Sequence, residues 1–282
     1  MFFYKYQGAG NDFLIADNRD GSVRLATKDI KLLCDRHYGV GADGLMLLEK
    51  STEYNFKMVY YNSDGSGGMM CGNGGRCIVA FAADVGIEKF DFEAADGFHT
   101  AILACKSGNE KTVRLKMKNV SCIKQENENS WFIDTGTRHA VRFVTGLDSL
   151  DVVESGRKIR YSREYEPEGV NANFAFVLPG KQQDCILHVR TYEKGVEDET
   201  CACGTGITAC ALAAHIKYPD CWRKDNAGRI TVKVKALNDM LSVDFKSDGN
   251  GGFEDVWLTG PATKVAEINT CSLFTTDTTV TD

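Results

Sequence analysis

The 282-residue sequence predicts an α+β fold of two pseudo-symmetric, strand-rich, barrel-like domains, each wrapped around a central helix. Three observations carry this expectation. Met70-Cys71-Gly72-Asn73-Gly74-Gly75-Arg76-Cys77 is echoed in the second half by Ala202-Cys203-Gly204-Thr205-Gly206. Each copy leads into an apolar, alanine-rich run of helical length, residues 78–83 and 207–214, and a helix apolar all round must be buried all round. Short alternating strands make up most of the remainder. The expected halves are 1–118 plus 263–282, carrying Cys71, and 119–262, carrying Cys203.

Taken in order, residues 1–17 read as two strands joined by the glycine-rich turn Gln7-Gly8-Ala9-Gly10-Asn11. Thr27 to Arg36 has the spacing of a short amphipathic helix. Tyr38-Gly39-Val40-Gly41-Ala42-Asp43-Gly44 is a tight loop before the strand Leu45–Leu48. Tyr54, Phe56, Met58 and Tyr60 alternate along a strand that runs out at Asn62-Ser63-Asp64-Gly65-Ser66. After the first apolar helix, strands are predicted near 90–95, 98–104 and 112–118. The polar segment 124–130 reads as the crossing between halves, and 157–168 as a charged surface loop. Strands are predicted at 131–135, 139–144, 172–178 and 184–193. The second apolar helix must stop before Pro219, and strands at 229–235, 240–245 and 255–259 follow. The Thr-rich tail after Ile268 is expected to end in mobile residues.

Composition excludes several classes. A net charge of -6 disfavours a nucleic-acid surface. No apolar run reaches the roughly 18 residues of a membrane span. Met1-Phe2-Phe3-Tyr4-Lys5-Tyr6 lacks the regions of a signal peptide. Eleven cysteines, an odd number in a long chain, read as reduced thiols of a cytoplasmic protein. Most are small buried hydrophobes; Cys77 and Cys201 read as bystanders.

Cys71 and Cys203 differ from the rest in their surroundings. Each stands at a predicted helix start, where free N–H groups and the helix dipole favour an anion and lower a thiol's pKa. The adjacent glycines let a carboxylate approach the backbone. A pseudo-dyad would set the two thiols against one substrate, one taking a proton from one face and the other returning a proton to the opposite face. Metal binding is disfavoured, because neither cysteine pair has zinc-site spacing and no paired His is present. A phosphate loop would need Lys-Ser/Thr after the glycines. A thiol switch would be an inactivating side reaction.

At these residues the chain resembles the diaminopimelate epimerases, cofactor-independent two-cysteine enzymes of lysine and peptidoglycan-precursor synthesis. The resemblance runs from Gly8-Ala9-Gly10-Asn11-Asp12-Phe13 to Leu258-Thr259-Gly260-Pro261-Ala262. It includes Gly39–Gly44, Asn62–Ser66, Met70–Gly74 and Glu199-Thr200 ahead of Ala202–Gly206. It implies an active site in the cleft between the domains, closure on the substrate, a homodimer, and no cofactor or metal. It places catalysis on Cys71 and Cys203, and substrate contacts on Asn11, Asn62, Gly72, Asn73, Asn171, Glu193, Gly204 and Thr205. His139 is implied to sit beside the thiols.

Two departures from the family pattern stand out. Gly136-Thr137-Arg138-His139 replaces Gly-Asn-Pro-His or its Ser-Pro-His relative. Tyr192-Glu193-Lys194-Gly195 replaces Tyr-Glu-Arg-Gly. Lys194 cannot reproduce the bidentate fork of the family arginine that holds the distal carboxylate, so Arg138 is expected to supply a guanidinium beside it. A proline or hydroxyproline racemase-type enzyme is the alternative, although such enzymes tend to carry His where this chain has Asn73. A thiol-redox or substrate-binding protein without catalysis is a further alternative.

Overall fold

The computed structural model describes residues 1–180 and 184–270. They fall into two compact units, Met1–Val113 with the described residues from Ala262 on, and Arg114–Pro261.

In the first unit the strands are β1 (Phe2–Gly8), β2 (Asn11–Asp17), β3 (Gly44–Glu49), β4 (Phe56–Asn62), β5 (Phe90–Ala94), β6 (Gly97–Ser107) and β7 (Glu110–Lys116). Each pairs with the next. β7 also pairs with a long strand, Phe253–Asn269, whose last residues run antiparallel to β1, with Phe2 opposite Asn269, and so close an eight-stranded barrel. Helix α1 (Thr27–Cys34) lies outside with Ile30 and Leu33 buried. Helix α2 (Gly72–Asp84) packs against β1, β2, β3 and β6, and every residue from Gly72 to Ala82 is buried. It ends where Gly86 adopts φ +86° and Ile87 N–H donates to Ala82 O at 2.9 Å. A left-handed residue after the last turn is the usual glycine stop.

The second unit repeats the plan. Its strands are β8 (Ile123–Asn127), β9 (Ser130–Asp134), β10 (Arg138–Phe143), β11 (Asn171–Leu178), β12 (Ile186–Glu193), β13 (Asp198–Thr200), β14 (Arg223–Lys224), β15 (Ile230–Ala236), β16 (Asp239–Ser247) and β17, the strand Phe253–Asn269 already met. The pairing runs β8–β9–β10–β11–β12–β15–β16–β17. A bridge from Val120 to Phe253 returns it to the chain just ahead of β8. Helix α3 (Val152–Arg160) lies against β11 and β12. Helix α4 (Gly204–Lys217) packs against β9, β10, β11, β12, β15 and β16 with Ile207–Ala214 wholly buried. Its end before Pro219 is satisfied by Trp222, whose indole N–H donates to Ala214 O at 3.2 Å. The fold class is therefore the one expected, two strand-rich barrel-like units around central helices.

Two local expectations need correction. Residues 124–130 are not a crossing. Residues 123–127 form β8, an antiparallel partner of β9, and the units divide at 113/114 and 261/262 instead. The segment reads as polar because Lys124 and Gln125 face solvent, while Glu126 turns in to accept from Arg142 and Tyr165, both at 2.8 Å. Residues 157–160 are not loop but the last turns of α3. Asp151 caps that helix by accepting from Glu154 N–H at 2.8 Å, and Arg157, Lys158 and Arg160 suit its C-terminal end. The final residues of the Thr-rich tail lie outside the described residues.

Gly156 lets α3 approach β12: a Cβ there would lie 2.2 Å from Cβ of Tyr192, itself fully buried. Gly156→Ala should cost about 1–3 kcal/mol through overpacking, read as a lower urea midpoint at unchanged m-value.

Candidate active site

The two cysteines that the sequence singles out are placed alike, each at a helix N-terminus inside its own unit. In the first unit Cys71 is the N-cap of α2, with extended backbone at φ -112° and ψ 156°. Its Sγ accepts from Gly74 N–H at 3.3 Å, and its carbonyl accepts from Gly75 N–H at 2.8 Å. A sulfur here does what a Ser or Asp oxygen does at an ordinary N-cap, so the thiol shares the helix's donors. Asn73 follows, buried, and its Oδ1 accepts from Arg76 Nη2 at 3.0 Å. Arg76 is fully buried and also donates to Gly72 O at 3.2 Å. The sequence reading passed over Arg76, since an arginine in a helix ordinarily faces water.

Asn11 opens β2 and donates its amide to Asp43. Asp43 is held by Asp12 N–H at 3.1 Å and by Arg36 at 2.6 Å, while Asp12 pairs with Lys5 and Arg36, each at 2.8 Å. Burial alone would raise the Asp12 carboxyl, but Arg36 and Lys5 outweigh it and bring it to about 2. Asn62 closes β4 and donates to Ser66 Oγ at 3.0 Å. Cys77 is fully buried, and burial pushes its thiol well above the ordinary range.

In the second unit Cys203 is the N-cap of α4 and is buried; its carbonyl accepts from Ile207 N–H at 2.8 Å, and its Sγ lies 3.5 Å from Thr205 Oγ1. Asn171 and Asn173 alternate onto one face of β11. Asn171 accepts from Lys194 N–H at 2.8 Å and donates to Arg138 O at 3.2 Å, which ties both expected residues to one amide. Glu193 ends β12 with Oε2 accepting from Thr200 Oγ1 at 2.9 Å. Burial raises its carboxyl, partly offset by that hydroxyl. Arg138 was expected to lend its guanidinium to a distal carboxylate. Here it is engaged instead by Glu168 and lies over the Phe132 ring, 5.4 Å from the centroid.

His139 is fully buried. Its Nε2 lies 2.8 Å from Thr137 Oγ1, its Nδ1 lies 3.2 Å from Asn173 Nδ2, and Thr137 Oγ1 lies 3.0 Å from Thr205 Oγ1. Burial lowers its pKa to about 3, so the ring is neutral at ordinary pH. The sequence reading named His139 and Thr205 but missed Asn173 and Thr137. The signals available were the two-residue spacing of Asn171 and Asn173, and the hydroxyl of Thr137 in a position where the resemblance puts other residues.

Among the described residues no cluster of three or more His, Cys, Asp or Glu could hold a metal ion, and no helix is long and apolar enough to cross a membrane. Among the described residues Cys34, Cys77, Cys105, Cys122, Cys185, Cys201, Cys210 and Cys221 are free thiols.

The fold defines the class first. A phenazine biosynthesis protein of the PhzF family from Bacillus anthracis superposes with a TM-score of 0.70 at 13% identity, covering 95% of this chain and 98% of its own. A hydroxyproline epimerase from Agrobacterium vitis gives 0.62 at 14% identity, covering 95% and 91%. Sequence then narrows the class. The family model described as diaminopimelate epimerase matches residues 3–122 and 131–265. A diaminopimelate epimerase of Flavobacterium psychrophilum is 44% identical over 270 residues, spanning 95% of this chain and 99% of the relative. The chain belongs to the diaminopimelate epimerase family.

The neutral state of His139 couples the second unit to pH. Its folded pKa lies below the unfolded value of about 6.5, so between those values the unfolded chain binds a proton that the folded chain refuses. Stability is fully present above about pH 6.5 and is lost as pH falls toward 3. In urea titrations from pH 7 to 4, His139→Gln should flatten this fall relative to wild type, whatever its effect on absolute stability.

Proposed function

We propose that this chain epimerises LL-diaminopimelate to meso-diaminopimelate without a cofactor, with Cys71 and Cys203 as the acid–base pair. The observation that carries the reading is the duplicated N-cap cysteine. Each unit presents one thiol at the N-terminus of a largely buried helix, beside glycine N–H groups suited to a carboxylate. The thiolate on one side removes the α-proton, and the thiol on the other side protonates the opposite face of the carbanion. The negative charge that develops in between is met by the helix N-termini. Asn11, Asn62, Gly72 and Asn73 would hold the substrate from the first unit; Asn171, Glu193, Gly204 and Thr205 from the second.

Lys194 supplies the cation for the distal carboxylate. Asn171 fixes its backbone, and Arg138 is already committed to Glu168, so the two do not share the task equally. The racemase-type alternative shares the fold but not the sequence family. The free thiols of Cys34, Cys105, Cys122 and Cys185 support a reducing, cytoplasmic setting. A homodimer follows from the family resemblance, and its check is a sedimentation measurement.

In heavy water the wild type should epimerise diaminopimelate and exchange its α-proton, while Cys71→Ala and Cys203→Ala should each lose at least ~10³-fold in kcat. Epimerisation retained by either variant overturns the assignment. Lys194→Met should raise the Michaelis constant about tenfold, against less than about twofold for Arg138→Ala. The reverse order would return the distal carboxylate to Arg138.

A further inference from the structure

We propose that Thr137 is a positioning residue for Cys203, carrying a one-way chain of hydrogen bonds from the buried His139 to the sulfur. This rests on the reading of Cys203 as a catalytic thiol. The direction of the chain follows from its far end. Asn173 Nδ2 faces two carbonyls, Ala140 O and Asn171 O, each at 3.2 Å, while its Oδ1 accepts from Thr191 Oγ1 at 3.0 Å. The amide can stand only one way round, with its NH2 toward His139 Nδ1. Facing that NH2, Nδ1 bears no proton, and the neutral ring carries its proton on Nε2. Nε2–H donates to Thr137 Oγ1 at 2.8 Å, Thr137 donates to Thr205 Oγ1 at 3.0 Å, and the Thr205 proton is left for Cys203 Sγ at 3.5 Å.

A thiolate can only accept, so this orientation favours the ionised form of Cys203. Each hydroxyl polarises the next, which strengthens the last donor. Gly206 keeps the chain compact: a Cβ there would lie 2.3 Å from Asn173 Oδ1 and 3.3 Å from His139 Cε1. Arg138, Arg190 and Glu193 have different commitments. Arg138 pairs with Glu168, Arg190 forks onto Glu199 at 2.7 Å, and Glu193 accepts from Thr200. Cys210, buried on α4, is pushed above the usual thiol range and stays protonated.

Protein labelled with [3-13C]cysteine, with the Cys203 signal assigned by Cys203→Ser, reads the titration of that thiol directly. Thr137→Val should move its midpoint up by about one pH unit and shift the acid limb of kcat/KM the same way. It should lower kcat about tenfold with the Michaelis constant within about twofold. Thr137→Ser, which keeps the hydroxyl, should restore both. An unchanged Cys203 midpoint in folded Thr137→Val overturns the proposal, as does a shift that Thr137→Ser fails to reverse. The titration needs no turnover, so failure of the function itself would appear separately, as a wild type that does not epimerise.

Discussion

A helix that is apolar around its whole circumference cannot rest against a surface; something must surround it. In both units this burial requirement organises everything else. α2 and α4 carry no polar face to offer water, and each is packed by strands on several sides. Enclosing a helix this way leaves only its ends near solvent, and of the two ends the N-terminus carries the unpaired N–H groups. The fold therefore concentrates donors and positive potential at one point of each unit, and a cysteine occupies that point.

The burial also explains the cost structure around each thiol. Glycine fills the first turn of both helices, which weakens a helix by about 1 kcal/mol per residue relative to alanine. Burial of the following turns makes up that loss. The space the glycines leave is used at once: Arg76 doubles back to its own helix start, and Asn173 and His139 crowd against Gly206. A buried arginine or histidine with unmet hydrogen bonds would cost several kcal/mol. Arg76 is instead tied into the turn that holds Cys71, and His139 is held between Thr137 and Asn173, with Thr137 in turn bonded to Thr205 of the α4 first turn.

The fold was legible where periodicity is strong. The buried helices and the alternating strands follow from spacing alone, because a strand's period of two and a helix's uniform apolarity are both written in the chain. β8 and the end of α3 were obscured by composition. Lys124 and Gln125 look like a linker when read singly, although the strand needs only one partner edge, and the charges of α3 look like a surface loop until Asp151 is recognised as its cap. Of the site, residues next to the duplicated cysteines could be read directly. Arg76, Thr137 and Asn173 could not, since their roles depend on which atoms the tertiary fold brings within hydrogen-bond reach.

At position 194 the chain carries Lys where the family resemblance puts Arg. A guanidinium binds a carboxylate through two fixed donors, whereas an ammonium is a single charge on a flexible stem and relies more on where its backbone is held. That backbone is held here: the amide of Asn171 grips Lys194 N–H with one end and Arg138 O with the other. Arg138 thereby contributes through its main chain while its side chain serves Glu168 and Phe132. In the proposed reading the anchored root of Lys194 offsets the missing fork, and the Asn171 side chain then matters to distal recognition as much as Lys194 itself.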